Sequence, residues 1–422
     1  MIETKELLPG ITLHYYRDSR FKQGCLSLQI VREMRAEESA MNALIPAILL
    51  RGTQEHPNLR SITAKLDELY GAMVAPVVRR AGDYQTTGIL CGFMDDRFAM
   101  PGDKVMEPML RFAEELMLSS RTLDGGFWPE YVESEKKNLI ATIESELNDK
   151  RGYAIGRMLR VMCREDSFGL PRLGEIEGVR AITPQMLMDH YHHILKTSPI
   201  ELLYVGSSHM ERVAKILTGL FSKWERDYIP VPPQSGFHST EGREWEETIE
   251  DVTQGKFCMG LVTPVDNQHP LFIAMRIFNM IFGGGMTSKL FMNVREKQSL
   301  CYSIGSSYFG TKGILLLTAG IDFDQKQRVR DEILHQLALC QQGDISDQEI
   351  LVAKEALLSS LRATHDSPGA IEGFYMSSAL SGMTLDPQNY KDAIRAVTRE
   401  QVVEAARTIT LHSSYFLKGE AR

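Results

Sequence analysis

The chain contains a long internal duplication. Residues 135–206 and 349–419 show the same succession of patterns, in which a helical stretch is interrupted at an Asp-x-x-Gly segment and then resumes. The repeated unit is far longer than the repeats of roughly 20–50 residues that build solenoid proteins. We therefore expect one domain fold that is used twice, rather than an array of small units.

Both halves also close in the same way. Each is predicted to end with a helix that follows a threonine N-cap, Thr183 or Thr398, and then with a short strand, at 200–206 or 413–419. Threonine is favoured at this position because its side-chain oxygen accepts a hydrogen bond from a free N–H of the first helical turn. The closing elements therefore agree in type and in order.

Strand patterns match nearer the start of each half. Apolar residues that alternate or run on over strand length predict strands at 25–31 and 88–94 in the first half, and at 256–262 and 313–321 in the second. Strands and helices do not alternate as strictly as in βαβ units. We therefore predict an α+β fold in which each domain has a mostly antiparallel sheet packed with helices.

The domain boundary is placed where the periodicity stops. The stretch from Tyr228 to Glu247 is rich in proline and glycine and has little apolar periodicity, which is typical of a linker. We predict an N-terminal domain at 1–227, a linker at 228–245 and a C-terminal domain at 246–422.

Composition argues against several classes of function. The net charge of −8 argues against a nucleic-acid partner, because phosphate binding depends on Lys and Arg. The sequence has no apolar stretch of membrane-spanning length and does not begin like a signal peptide. Its six cysteines lie far apart without a CxxC motif, which predicts reduced and mostly buried thiols in a cytoplasmic protein.

Residues 283–308 carry the most specific motif. They combine a Gly-rich turn, a helical stretch and the pair Arg295 and Tyr302, seven positions apart. This stretch resembles the second-domain signature of the insulinase/pitrilysin (inverzincin) metallopeptidases, in the branch of mitochondrial processing peptidase, where R-x-x-x-G-L-x-Y-x-V follows a Gly-rich turn. With the duplicated α+β architecture, the resemblance extends over essentially the whole chain. It implies that Arg295 and Tyr302 hold the substrate carbonyl and stabilise the developing oxyanion.

The resemblance also shows what this chain has lost. Active members carry H-x-x-E-H followed by Lys-Gly-Thr, in which the two histidines bind Zn²⁺ and the glutamate is the general base. Here the sequence RGT at 51–53 fixes the register, so the motif positions hold Ala43, Pro46 and Ala47, and the third ligand position holds Thr142. We therefore predict no bound metal, no cofactor and no peptidase activity of the chain alone.

Two substrate-binding features of the family have counterparts here. The substrate-pairing edge strand normally contains an asparagine, whereas residues 71–75 contain none. Backbone pairing needs no particular side chain, so this capacity is expected to remain. The resemblance also assigns a substrate-admitting role to Gly283, Gly284 and Gly285. They do not form a P-loop, because the second glycine of that motif must directly precede the lysine.

Other interpretations of Arg295 and Tyr302, and of the histidines, are also compatible with the sequence. Without the motif, Arg295 is an exposed helix residue and Tyr302 an ordinary core aromatic. His190 and His193 share a helix face and are a possible metal pair, although no acidic or cysteine partner is spaced to complete a site. His238 begins an inverted zinc motif, but Gly242 takes the position of its second histidine.

These features lead to two hypotheses for function. The favoured one is a non-catalytic subunit of a heterodimeric zinc endopeptidase, which supplies Arg295 and Tyr302 to a zinc-bearing homologous partner and a peptide substrate. The alternative is an inactive pseudoenzyme that binds peptides or serves as a scaffold, alone or as a homodimer. An independent metalloenzyme built on His190 is a third and weaker hypothesis.

Overall fold

A computed structural model of the chain describes residues 2–238, 241–383 and 387–420, with the side chains of all but 387 and 388. The strands in chain order are β1 (Ile2–Leu8), β2 (Ile11–Arg17), β3 (Gln23–Glu33), β4 (Met73–Ala81), β5 (Tyr84–Met94), β6 (Thr122–Leu123), β7 (Gly126–Phe127), β8 (Ile200–Gly206), β9 (Glu244–Thr248), β10 (Gly255–Val262), β11 (Ser303–Phe309), β12 (Ile314–Ile321) and β13 (Thr410–Lys418).

The α-helices in chain order are α1 (Ala36–Leu49), α2 (Leu59–Glu68), α3 (Met106–Leu118), α4 (Pro129–Ser145), α5 (Lys150–Met162), α6 (Ile176–Ala181), α7 (Pro184–Thr197), α8 (Met210–Phe221), α9 (Phe272–Phe282), α10 (Lys326–Gln342), α11 (Asp347–Ala363), α12 (Pro368–Leu380), α13 (Pro387–Ala396) and α14 (Arg399–Arg407). A π-helix spans Phe291–Lys297. Among the residues described, none of the helices is long and apolar enough to cross a membrane.

The chain forms two compact units. The first comprises the described residues of Met1–Glu144, Pro171–Pro233 and Thr364–Leu380. Its six-stranded sheet has the order β1-β2-β8-β3-β5-β4. All neighbouring strands are antiparallel except β2 and β8, which are parallel. The prediction of a mostly antiparallel sheet packed with helices is therefore confirmed for this unit.

The second unit comprises the described residues of Ser145–Leu170, Gln234–Ala363 and Ser381–Arg422. Its sheet has the order β11-β12-β10-β13-β9, with one parallel pair, β13 and β9. Read from its other edge, the first sheet begins with the order β4-β5-β3-β8-β2. These five strands are equivalent, in this order, to β11, β12, β10, β13 and β9 of the second sheet. The duplication inferred from the sequence is thus a duplication of sheet topology.

Each unit contains one helix from the other half of the sequence. Helix α5 follows α4, yet it packs on β10 and β13 of the second unit; helix α12 follows α11, yet it packs on β3 and β8 of the first. α5 and α12 are equivalent in the duplication. The compact units are therefore not continuous in sequence, and the boundaries of 1–227, 228–245 and 246–422 remain a prediction about the duplicated sequence.

The break before α5 follows from its Asp-x-x-Gly segment. The Asp149 carboxylate accepts hydrogen bonds from the N–H groups of Arg151 and Gly152, so it caps the helix and satisfies its first donors. A Cβ added to Gly152 would lie 2.5 Å from Asp149 Oδ2. A larger residue at this position would displace the cap, which explains why the pattern ends one helix and begins the next.

Helix α12 covers one face of β3, which explains why that strand is buried on both sides. Leu26 and Leu28 belong to the main core of the first unit. Cys25 and Val31 contact a second apolar cluster with Tyr375 of α12. All six cysteines lie in the described part of the chain, where they are buried and form no disulfide, as the sequence predicts.

The segment of linker composition has little regular structure. Its described residues from 228 to 243 form no helix or strand. The end of the stretch differs from the expectation, because β9 begins at Glu244 and pairs in parallel with β13. The Glu247 carboxylate on β9 accepts hydrogen bonds from Tyr153 and Tyr415. Because of these tertiary contacts, residues whose composition indicates a linker form a strand.

Candidate functional site

Helix α1 carries the positions that the resemblance aligns with the zinc motif. Ala43 is 7% exposed, Pro46 is buried and Ala47 is half-buried. Pro46 lies inside the helix and has no N–H to donate to the carbonyl of Asn42, four residues earlier. The hydroxyl of Thr87 donates to that carbonyl instead, at 2.6 Å. The Thr87 hydroxyl thus replaces the helical hydrogen bond that the proline cannot donate. The side chains at the three positions offer no ligand atom for a metal.

Thr142 on α4 is exposed and donates its hydroxyl to the carbonyl of Asn138, at 2.9 Å. On the same helix, Glu135 forms an ion pair with Arg51 at 3.1 Å, and the Arg51 guanidinium lies over the ring of Tyr131. No local pattern in the sequence predicts this pair. The buried carboxylate of Glu135 is therefore paired with Arg51, and this ion pair holds α4 against the loop that follows α1.

A group of potential metal ligands does occur in the described part of the chain, but not where the sequence suggests. Ligand atoms of Glu55, His56 and Glu115 all lie within 4.8 Å of one another. His56 Nδ1 is 2.8 Å from Glu115 Oε1, and the hydroxyl of Thr53 donates to the same oxygen. These hydrogen bonds alone account for the geometry, since they fasten the loop after α1 to α3.

The histidine cluster on α7 is engaged in a buried polar network. His190 Nε2 lies 2.8 Å from Asn42 Oδ1, and the Asn42 amide donates to Gln85. Burial, with Arg32 and His193 acting in the same direction and Glu38 against, lowers the pKa of His190 to about 4. The ring is therefore neutral near pH 7 and fixes α7 to α1.

The second candidate metal motif has a structural explanation. The backbone N–H of His238 donates to Asp166 Oδ2 at 3.2 Å. A Cβ added to Gly242 would lie 1.8 Å from the carbonyl oxygen of His412. No histidine fits at this position in the observed backbone.

Strand β4 lies at the edge of the first sheet, as expected for the substrate-pairing strand. Among the residues that the structure describes, β5 is the one strand that pairs with it. Its first residue, Met73, is 67% exposed, and Gly71 enters the strand with a positive φ of 70°. The outward backbone groups of Val74 can therefore pair with an extended peptide, whereas Pro76 has no N–H to donate and the Val78 carbonyl already accepts from Arg172.

Arg295 and Tyr302 flank the end of the π-helix. The Arg295 side chain is 39% exposed, lies 3.3 Å from Glu296 Oε1 and is stacked over the ring of Phe291. Tyr302 is 59% exposed and donates its hydroxyl to Asp322 at 3.1 Å, and this hydrogen bond raises its pKa. Tyr302 is therefore not a core aromatic, and both side chains are accessible in the second unit.

The Gly-rich turn after α9 has a packing role. A Cβ added to Gly283 would lie 2.7 Å from the Ser306 hydroxyl, and one on Gly284 would lie 2.9 Å from Met280 Cα. The Ser306 N–H donates to the Gly283 carbonyl at 3.0 Å. The first two glycines let α9 end directly against β11, whereas a Cβ on Gly285 would make only an ordinary contact, 3.8 Å from Met280 Cε.

Comparison with known proteins identifies relatives. Residues 181–357 match the family model "Peptidase M16 inactive domain". The chain is 29% identical over 419 residues to "Probable inactive metalloprotease YmfF" of Bacillus subtilis strain 168, with 99% of this chain and 98% of the relative covered. It is 24% identical over 204 residues to "Uncharacterized zinc protease YmxG" of the same strain, with 48% of each protein covered.

Solved structures show the same fold. A conserved protein from Enterococcus faecalis V583 is 25% identical and superposes with a TM-score of 0.90 over 100% of this chain and 99% of its own. A peptidase M16 inactive domain from Pseudomonas fluorescens superposes with a TM-score of 0.81 at 15% identity, over 100% and 98%. Together with the sequence matches, these findings confirm the resemblance: over nearly its whole length the chain is similar to inactive-type members of the insulinase, or M16, peptidase family.

Proposed function

We propose that this chain is the non-catalytic subunit of a two-chain zinc endopeptidase, in which it supplies Arg295 and Tyr302 to a zinc-bearing homologous subunit. One contrast carries the proposal. The zinc-binding positions are occupied by Ala43, Pro46 and Ala47, whereas the Arg/Tyr pair is retained and accessible to solvent. A chain that acted without peptidase chemistry would not need this pair.

The present contacts of the pair are compatible with this role. A guanidinium carries several N–H donors in a fixed plane, so the contact with Glu296 leaves Arg295 able to donate to a substrate carbonyl. The Tyr302 hydroxyl donates to Asp322 and has to exchange this acceptor for the substrate oxygen. Arg295 is therefore the readier donor, and Tyr302 acts after a rotation of its side chain.

The relatives supply a second line of support. Bacillus subtilis strain 168 contains both a relative named as an inactive metalloprotease and a relative named as a zinc protease. Two homologous chains of complementary character thus occur in one organism. For the present protein we expect a partner of the second kind, with the intact zinc motif that this chain lacks.

The proposal is tested by recovering the tagged chain from its native lysate. We expect a zinc-bearing homologue to co-purify, with one zinc per heterodimer and peptidase activity that neither chain shows alone. A zinc-bearing partner that cleaves peptides equally well without this chain would overturn the proposal.

Variants of the reconstituted complex then test the residues. Arg295→Ala and Tyr302→Phe should each lower kcat/KM by about 100-fold, the usual effect of removing one oxyanion donor. Arg362→Ala and Tyr228→Phe are matched controls, because both side chains are exposed and lie outside the motif. They should leave kcat/KM unchanged, and all variants should bind the partner normally.

A second candidate function is peptide binding without catalysis. The free edge of β4 favours it, as does the hydrogen bond that already occupies the Tyr302 hydroxyl. If Arg295→Ala and Tyr302→Phe leave the activity of the complex unchanged, while Val74→Pro, which removes an outward N–H of β4, abolishes peptide capture, the pseudoenzyme or scaffold function replaces the catalytic one.

A further inference from the structure

A small cavity lies between α5 and the sheet of the second unit. Lys256, Gly320 and Ser303 are direct neighbours on β10, β12 and β11. Directly paired residues project on the same face of a sheet. Gly320 has no side chain, so the side chains of Lys256 and Ser303 have no residue side chain between them in this row. Arg151 of α5 also lines the cavity, whose volume is about 30 Å³. This exceeds the space that a single water molecule requires.

The cavity walls bring two cations together without a carboxylate between them. Arg151 donates to the hydroxyl of Thr318 at 3.2 Å, and Lys256 donates to the side-chain carbonyl of Gln254 at 2.6 Å. Within the part of the chain that the structure describes, neither forms an ion pair. An ammonium and a guanidinium have more donors than these single bonds use.

The pKa of Lys256 reflects the closeness of the two cations. Burial, and after it the charge of Arg151, lowers the pKa of Lys256, while Asp149 acts in the opposite direction. The Asp149 carboxylate is engaged, because it accepts the two N–H groups that cap α5. The repulsion between the two cations is therefore only partly relieved by the protein itself.

We propose that Arg151, Lys256, Ser303 and Thr318 form a binding site for a small oxyanion, the carboxylate or phosphate group of a ligand. Two cations supply charge-assisted hydrogen bonds, and two hydroxyls can donate to further oxygens of the group. Gly320 lets two polar side chains approach its backbone at the cavity wall, since a Cβ there would lie 2.8 Å from Gln254 Oε1 and 2.9 Å from Ser303 Oγ. The site adjoins Tyr302, whose N–H donates to the Gly320 carbonyl.

The proposal does not depend on a partner subunit, so it is tested on the isolated chain. Inorganic phosphate and acetate are titrated separately by calorimetry at constant ionic strength. We expect saturable binding at one site per chain. Tighter binding of phosphate assigns a phosphorylated ligand, and tighter binding of acetate assigns a carboxylate such as a peptide C-terminus.

Variants identify the site. Arg151→Gln and Lys256→Met should each weaken binding by about tenfold or more, as expected when a charge-assisted hydrogen bond is removed. Lys215→Met removes an exposed lysine of the first unit and should leave binding unchanged. Saturable binding that survives both site variants, or its absence from the unaltered chain, overturns the proposal.

A measurement on the unaltered protein covers the case in which a site variant fails to fold. Binding of an anion beside Lys256 must raise the pKa of its ammonium, because the negative charge favours the protonated form. NMR titration of the lysine side chains with and without phosphate should show this rise for Lys256. A pKa that phosphate leaves unchanged contradicts the proposed site.

Discussion

Ser299 separates Arg295 from Tyr302 and has a backbone conformation that serine rarely adopts. Its φ is 51°, in the left-handed region where glycine is favoured. The family signature has glycine at this position. Ser299 donates its N–H to the Arg295 carbonyl, and Leu300 donates to that of Val294. The turn therefore ends the π-helix and sets the direction in which the chain enters β11.

Ser299→Gly is expected to raise the free energy of unfolding by about 0.5–1 kcal/mol, because relief of the left-handed strain exceeds the entropy that glycine loses on folding. Chemical denaturation measures the difference. Ser307→Gly is the matched control, an exposed serine within β11, and should lower stability by about 0.5–1 kcal/mol. Equal destabilisation by both changes would show that the turn is unstrained.

At the scale of elements, α5 is fastened to the second sheet by one carboxylate. Glu247 on β9 accepts hydrogen bonds from Tyr153 and Arg157 of α5 and from Tyr415 of β13. Burial raises the pKa of Glu247, but these three hydrogen bonds outweigh it and lower the pKa below the usual 4.5. The charged form of Glu247 thus stabilises the folded state.

Glu247→Gln should lower the free energy of unfolding by about 2 kcal/mol at pH 7, since hydrogen bonds to a charged group are lost. A depressed folded-state pKa contributes stability above the unfolded-state value and loses it as pH falls through the folded-state value. The variant and the unaltered chain should therefore converge below pH 4.5. Denaturation of both proteins across this pH range tests the expected convergence. The control Glu250→Gln, at an exposed position, should leave the free energy of unfolding unchanged.

At the scale of the whole molecule, each unit is completed by a helix from the other half of the sequence. In the first unit, Glu372 of α12 is fully buried and accepts hydrogen bonds from Gln29 and Arg79. Tyr375 and Met376 of the same helix fill the apolar cluster against β3 and β8. Without α12, this unit exposes apolar and polar groups that water does not reach in the intact chain.

A fragment of residues 1–233 should therefore fail to fold cooperatively by itself, although it contains the whole first copy of the duplication. Co-expression with residues 234–422 should restore a cooperative transition, because α12 is then supplied in trans. Calorimetry of the fragment, the pair and the intact chain makes the comparison. A fragment that melts as sharply as the intact chain would show that α12 is dispensable.

Local patterns were enough for much of this structure. The strands at 25–31 and 256–262 and the N-caps Thr183 and Thr398 follow from the sequence, whereas the edge position of β4 was implied by the resemblance. Period-two apolar patterns and capping side chains act over a few residues. The loss of zinc ligands is likewise a matter of residue identity, because alanine and proline have no lone pair to offer.

Contacts between distant residues were decided by tertiary structure alone. The exchange of α5 and α12 leaves no local signal, because an amphipathic helix is compatible with either sheet. The pairs Arg51–Glu135 and Tyr302–Asp322 depend on where their elements meet. The cation cavity likewise arises only when α5 crosses the row of Lys256, Gly320 and Ser303. The sequence thus determined the elements, their duplication and the residues at the expected zinc positions, whereas packing decided which side chains face one another.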